Sequence, residues 1–279
     1  MPIRFANLQD YVETKPPELD YVVLNILAGT VGAIVGPGGA SKTYLAEEIA
    51  VSVATGYDVT GGALQIKHSG PVLYLQAEDP VAVNHQRFHT IGQYLSPADR
   101  LAMYENLSFA EMYGLNVTFI NEALRPTAIV DEIKELANGV RLVIFDTLRR
   151  FHLLDENDSG HMAAVIGVME NIARETGSTV LFVHHANKLA LVNDKADMQQ
   201  AIRGSSTITD NIRWQGNLIS KENKVRLITS KNNYGPPCDD IWLERRAGGM
   251  LLACDPPPPE KEDRKPSRSK SKFTTKSKD

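Results

Sequence analysis

The run Gly36-Pro37-Gly38-Gly39-Ala40-Ser41-Lys42-Thr43 holds the residue types that bind a polyphosphate. It follows an apolar run, Val31 to Val35, and leads into helical apolar spacing at Leu45, Ile49, Val51 and Val53. Strand, glycine loop, Lys-Thr, helix is the order that a phosphate-binding loop needs. Glycines let backbone N–H groups turn inward, a lysine meets the outer phosphates, a threonine hydroxyl suits Mg²⁺, and the helix N-terminus faces the anion. The expected cradle is Gly36, Gly38, Gly39, Ala40, Ser41, Lys42, Thr43 and Tyr44. One residue departs from G-x-x-x-x-G-K-[ST]: Ser41 stands where a glycine is usual. If the loop needs a left-handed backbone there, Ser41 is strained.

Three further apolar runs end in polar groups. Arg141-Leu-Val-Ile-Phe-Asp146 puts a carboxylate at the end of a buried strand, where α/β ligand sites lie; Asp146 there suits a Mg²⁺ shell beside Thr43. Val72-Leu-Tyr-Leu-Gln-Ala-Glu78-Asp79 ends in two acids. Glu78 is expected to project from the strand next to the P-loop strand as a general base, leaving Asp79-Pro80 to cap the following helix. Thr179 to Val183 ends in His184-His185, at a position where an imidazole reaches a γ-phosphate. Adjacent strand histidines point to opposite faces and make a poor pair of ligands for one ion. His85 and His89, four apart on an expected helix, lack the glutamate of a His-Glu-x-x-His zinc site.

These groups must be positioned by an alternating frame. Strands are expected at 30–36, 71–76, 106–111, 141–146 and 178–183, and helices at 42–55, 80–95, 126–138 and 160–176, with Pro126 opening the third helix. The order implies an α/β fold, a mostly parallel sheet flanked by helices. After Ser220 short strands at 223–230, 240–245 and 249–254 suggest a C-terminal antiparallel extension. Residues 1–29 read as an N-terminal arm broken at Pro16-Pro17, with Leu19 and Tyr21 to Leu24 available to dock. Residues 30–254 read as the core domain. Residues 255–279 read as a disordered basic tail after four consecutive prolines, Pro256 to Pro259.

The 279 residues suffice for one large domain, and 42% hydrophobic content suits a sizeable core. A net charge of −4 argues against passive coating of nucleic acid by a basic surface. Two cysteines, Cys238 and Cys254, form neither a metal pattern nor a disulfide framework. With no secretory signal and no apolar run long enough to cross a bilayer, a soluble cytoplasmic protein without a membrane partner is expected.

The P-loop, Ala77-Glu78-Asp79-Pro80, Ile144-Phe-Asp-Thr-Leu-Arg-Arg-Phe-His152 and Val183-His-His-Ala186 together resemble the RecA-like P-loop NTPases, in particular hexameric replicative DNA helicases of the plasmid RepA type. The likeness continues through Arg203-Gly-Ser-Ser206, Asp210-Asn-Ile-Arg-Trp-Gln215 and Ser230-Lys-Asn-Asn-Tyr-Gly235. It implies an ATPase using ATP and Mg²⁺, with Lys42 and Thr43 on nucleotide and metal, Glu78 as catalytic glutamate, Asp146 on Mg²⁺ and His185 sensing the γ-phosphate. Arg213 would be an arginine finger for the neighbouring subunit, and Arg87 a further arginine near the nucleotide. The bland reading of Arg213 is a surface arginine beside Trp214. The loop 186–203 would face the channel of a hexameric ring, with Lys188, Lys195 and Arg203 on single-stranded DNA. The tail would touch DNA, recruit a primase or initiator protein, or do neither.

Overall fold

The computed structural model describes residues 3, 5–185 and 206–258 of the chain. The loop carrying Lys188, Lys195 and Arg203 and the tail from residue 259 onward lie outside the described residues. Six strands run parallel: β1 (Val31–Gly36), β2 (Val72–Gln76), β3 (Leu107–Glu111), β4 (Leu142–Asp146), β5 (Thr179–His185) and β6 (Trp214–Lys221). Three more, β7 (Lys224–Asn232), β8 (Ile241–Arg245) and β9 (Leu251–Ala253), pair antiparallel. The order across the sheet is β3-β2-β4-β5-β1-β6-β7-β8-β9. The helices are α1 (Leu8–Glu13), α2 (Lys42–Thr55), α3 (Val81–Gly92), α4 (Pro97–Asn106), α5 (Ile129–Leu136), α6 (Ser159–Thr176) and α7 (Ser206–Asn211).

The strand period of two divides the central side chains between two cores. Val31, Ala33 and Val35 join Val143, Phe145, Val180 and Phe182 on the face covered by α6 and α5. Ile34, Leu142, Ile144, Leu181 and Val183 turn to the other face, against Leu45, Ile49 and Val53 of α2. Each such side chain taken out of water stabilises the fold by roughly 1.5–3 kcal/mol. The outer side of α2 is closed in turn by Val51 packing with Val59, Ile91, Leu95 and Met250. A helix covered on both sides needs an apolar circumference, which the run Leu45 to Ala54 supplies except at Glu47 and Glu48.

The N-terminal segment docks through Val22, Val23, Leu24 and Ile26, all buried, while Leu19 stays 59% exposed and α1 buries nothing. Asp20 holds this segment down through both Nη atoms of Arg141. Three local expectations are corrected. Pro126 pairs in a bridge with Ile120, and α5 starts at Ile129 behind Ala128. Asp79 does not cap α3, because Arg87 takes its carboxylate; Pro80 is the cap residue and makes no side-chain cap bond. β2 is not beside the P-loop strand, since β4 and β5 lie between β2 and β1. Two elements were not anticipated: α4, opened by a Ser96/Asp99 capping box, and β6. No helix among the described residues is long and apolar enough to cross a membrane.

Candidate nucleotide site

The carboxyl ends of β1, β5, β4 and β2 share one edge of the sheet, with Gly36 level with His185 and Gln76 level with Asp146. All the catalytic candidates except Arg213 stand on that edge. Gly36 is required by packing: a Cβ there would sit 2.8 Å from the carbonyl oxygen of Leu218 on β6. Ser41 takes φ 66° and ψ 28°, so this position does use the left-handed conformation that favours glycine. Its hydroxyl makes no cap bond to α2, which leaves the first N–H groups of the helix and the positive end of its dipole open to an anion.

Lys42 opens α2 and is almost fully buried. Its Nζ donates to the Pro37 carbonyl at 2.8 Å and lies 3.2 Å from His185 Nδ1. Burial pulls the ammonium down to about 8, against the attraction of Asp146 and Glu78. The other ring nitrogen of His185 lies 3.3 Å from Glu78 Oε2. Although β2 is two strands away from β5, the chain beyond Gln76 carries Glu78 back to this point. Gln76 fixes the turn by accepting from the N–H groups of Glu78 and Asp79 at 2.7 and 3.2 Å. The bond to His185, with Lys42 and Arg150 nearby, holds the Glu78 carboxyl below its usual range, so it is ionised at neutral pH as a base must be.

Asp146 is completely buried. Tyr74 donates to its Oδ2 at 2.6 Å, while Oδ1 has no hydrogen-bond partner among the described residues. Burial raises the carboxyl to about 6, against the favourable hydroxyls of Tyr74 and Thr43. An orphaned buried carboxylate oxygen beside a threonine hydroxyl is an oxygen donor set suited to Mg²⁺. His184, the partner of His185 in sequence, is buried and pushed down to about 4 by desolvation, so it stays neutral.

Arg87 reaches Asp79 Oδ2 at 2.7 Å and Glu47 Oε1 at 3.3 Å, and its guanidinium lies 4.9 Å from the Tyr44 ring centroid. These residues line a cleft of about 310 Å³ together with Ser41, Lys42, Glu78, His185 and Arg245. Tyr74, Gln76, Glu47 and Arg245 escaped the sequence reading. The adjacent carboxylates Glu47-Glu48, inside an otherwise apolar helix, were the one visible signal.

Arg213 stands elsewhere. Its N–H donates to the Val31 carbonyl, at the amino end of β1, and Trp214 beside it is level with Gly32. The rise of β1 puts about 16 Å of strand between that point and the phosphate loop. Lys231 lies close to it, its Nζ donating to the carbonyls of Thr209 and Asp210.

Residues 2–190 match the family model described as an AAA domain. The chain belongs to the AAA-domain family. The fold of this AAA-domain protein is RecA-like and of the replicative-helicase type, with nucleotide-site residues at the carboxyl edge of the sheet. It superimposes on a solved helicase ATPase domain with a TM-score of 0.55 at 14% identity, over 81% of this chain and 85% of that one. It is also similar to the RadB recombinase, with a TM-score of 0.54 at 13% identity, over 82% of this chain and 92% of that one.

Proposed function

We propose that this AAA-domain protein is the ATP-hydrolysing subunit of a hexameric ring helicase that translocates on single-stranded DNA in plasmid or phage replication. The observation that carries the reading is the placement of Arg213. Glu78, His185 and Lys42 form a contiguous chain at one edge of the sheet, and Arg213 stands at the other. An arginine that cannot reach its own phosphate loop suits a site completed by a neighbouring subunit.

In this reading the open N-terminus of α2, Lys42 and the glycine loop bind the phosphates of ATP, with Tyr44 and Arg87 beside them. Thr43 and Asp146 Oδ1 hold Mg²⁺, which neutralises charge on the phosphoryl group. Glu78 takes the proton of the attacking water. A neighbour's Arg213 stabilises the charge that develops on the γ-phosphate. His185, touching both Lys42 and Glu78, loses or gains a partner as the γ-phosphate comes and goes, and starts the loop 186–205 on its way. Lys188, Lys195 and Arg203 on that loop meet the DNA backbone.

A second reading, ATP-gated strand binding without unwinding, is favoured by the nearly equal likeness to the RadB recombinase. Strand displacement on a forked duplex, run beside DNA-stimulated ATPase and particle mass with a nucleotide analogue, separates them. Unwinding by a ring supports the helicase; ATP-dependent binding alone supports the second reading; a monomer with full ATPase activity refutes both.

A further inference from the structure

Ser41 breaks two local rules at once. It is a non-glycine residue in the left-handed region, and it is a serine at a helix N-cap whose hydroxyl caps nothing. One side chain accounts for both. Arg245, the last residue of β8, donates to Ser41 Oγ from Nε at 2.9 Å and from Nη2 at 2.7 Å. Nη2 also reaches the Gly39 carbonyl at 3.3 Å and Ser220 Oγ at 3.1 Å, and Nη1 reaches the Glu222 carbonyl at 3.3 Å. The guanidinium therefore bridges the phosphate loop and the β6–β7 hairpin. A forked planar donor set is needed to grip one hydroxyl with two N–H groups while holding three other acceptors.

We propose that Arg245 is the positioning residue of the phosphate loop: it fixes Ser41 in its left-handed backbone and draws the hydroxyl off α2, keeping the helix N-terminus free for nucleotide phosphate. The inference rests on the proposed nucleotide site and adds to it a residue from the antiparallel extension. A serine hydroxyl at an N-cap otherwise accepts from the second or third N–H of its helix, the same donors that an incoming phosphate needs. Without Arg245, Ser41 competes with the nucleotide. A glycine at position 41 has no hydroxyl to compete and no left-handed penalty, so it has no use for Arg245. Ser41 and Arg245 together do what a glycine usually does alone.

The test is a double-mutant cycle read by equilibrium binding of fluorescent ADP to the full-length protein, with thermal melting of each variant to confirm folding. In the natural background Arg245→Gln weakens ADP binding by about tenfold, the size of one N-cap interaction. In a Ser41→Gly background the same change costs less than about twofold. Ser41→Gly alone stays near wild type, whereas Ser41→Ala, which keeps the left-handed cost and loses the grip, weakens binding. Arg245→Lys, which keeps the charge and is the variant to use if Arg245→Gln does not fold, behaves as a loss of the fork. Equal losses in both backgrounds, or full rescue by lysine, overturn the proposal and make Arg245 a direct charge on the nucleotide. A wild-type protein that binds no ADP overturns the nucleotide site itself, and the proposal with it.

Discussion

Nδ1 of His185 lies 3.2 Å from the ammonium of Lys42. The opposite ring nitrogen meets Glu78, so one imidazole spans the phosphate-binding lysine and the candidate base. A group that only bound nucleotide would not need to touch both. Glu78→Gln keeps the shape and removes the basicity. It is expected to leave the ADP dissociation constant within about threefold and to lower kcat by about 10²–10⁴-fold. His185→Ala is expected to lower kcat and to abolish stimulation by DNA while basal binding persists. Single-turnover hydrolysis with and without a single strand reads both, and a Glu78→Gln protein that still turns over normally contradicts the assignment.

Arg213 stands at the wrong edge of its own sheet to serve its own site. Arg213→Ala and Glu78→Gln proteins are therefore each expected to be inactive alone but to complement on mixing. An Arg213→Ala subunit retains Glu78, and a Glu78→Gln neighbour supplies the arginine. With random equal mixing, about a quarter of the interfaces in a cyclic assembly are intact. ATPase activity of the mixture should rise toward that fraction of wild type. Additive inactivity at every mixing ratio, with mixed assembly shown by native mass spectrometry, removes Arg213 from the site.

Much of this was legible in the sequence because a parallel strand buried on both faces writes itself as an unbroken apolar run. β1, β2, β4 and β5 do so, and their polar ends Gly36, Glu78, Asp146 and His185 mark the ligand edge. β6 was hidden by its own polar residues. Gln215 and Asn217 are buried, yet they satisfy one another at 3.0 Å and are closed off by Thr209 and Ser230. α4 leaves Leu101 and Tyr104 exposed and so lacks an apolar stripe. Strand order is a tertiary property, and nothing local in Val72–Gln76 says that β4 and β5 come between it and β1. Arg245 is distant in sequence from the loop that it grips, and its role depends on a left-handed turn at Ser41 that only the backbone reveals.

Tyr74 donates to Asp146 Oδ2 at 2.6 Å, inside the core. It is the group behind the candidate metal ligand, and outer partners of this kind change metal affinity by about 10–100-fold when removed. Tyr74→Phe is expected to raise the Mg²⁺ concentration for half-maximal ATPase activity by that factor, with a smaller effect on ADP binding measured in EDTA. An unchanged Mg²⁺ requirement means that Asp146 needs no orienting partner, or that the metal sits elsewhere.

Glu47 gives the protein an unusual dependence on pH. Burial raises its carboxyl to about 8, only partly offset by Arg87, and Glu48 is raised well above the usual range for the same reason. The folded state therefore holds protons that the unfolded chain releases near 4.5, and stability falls as pH rises from there through about 8. His152 and His184, both held down to about 4 by burial, act the other way between about 4 and their ordinary 6.5, where the unfolded chain takes up protons that the native state refuses. The two effects oppose one another in mild acid and leave the carboxylates alone above about pH 6.5. Over the next unit and a half Glu47 alone removes about 2 kcal/mol, at roughly 1.4 kcal/mol per unit. Urea unfolding at several pH values between about 6.5 and 8 should show this decline in the wild-type protein and a shallower one in Glu47→Gln. A wild-type stability that stays level or climbs across that window means that Glu47 is ionised in the folded state and paired with Arg87.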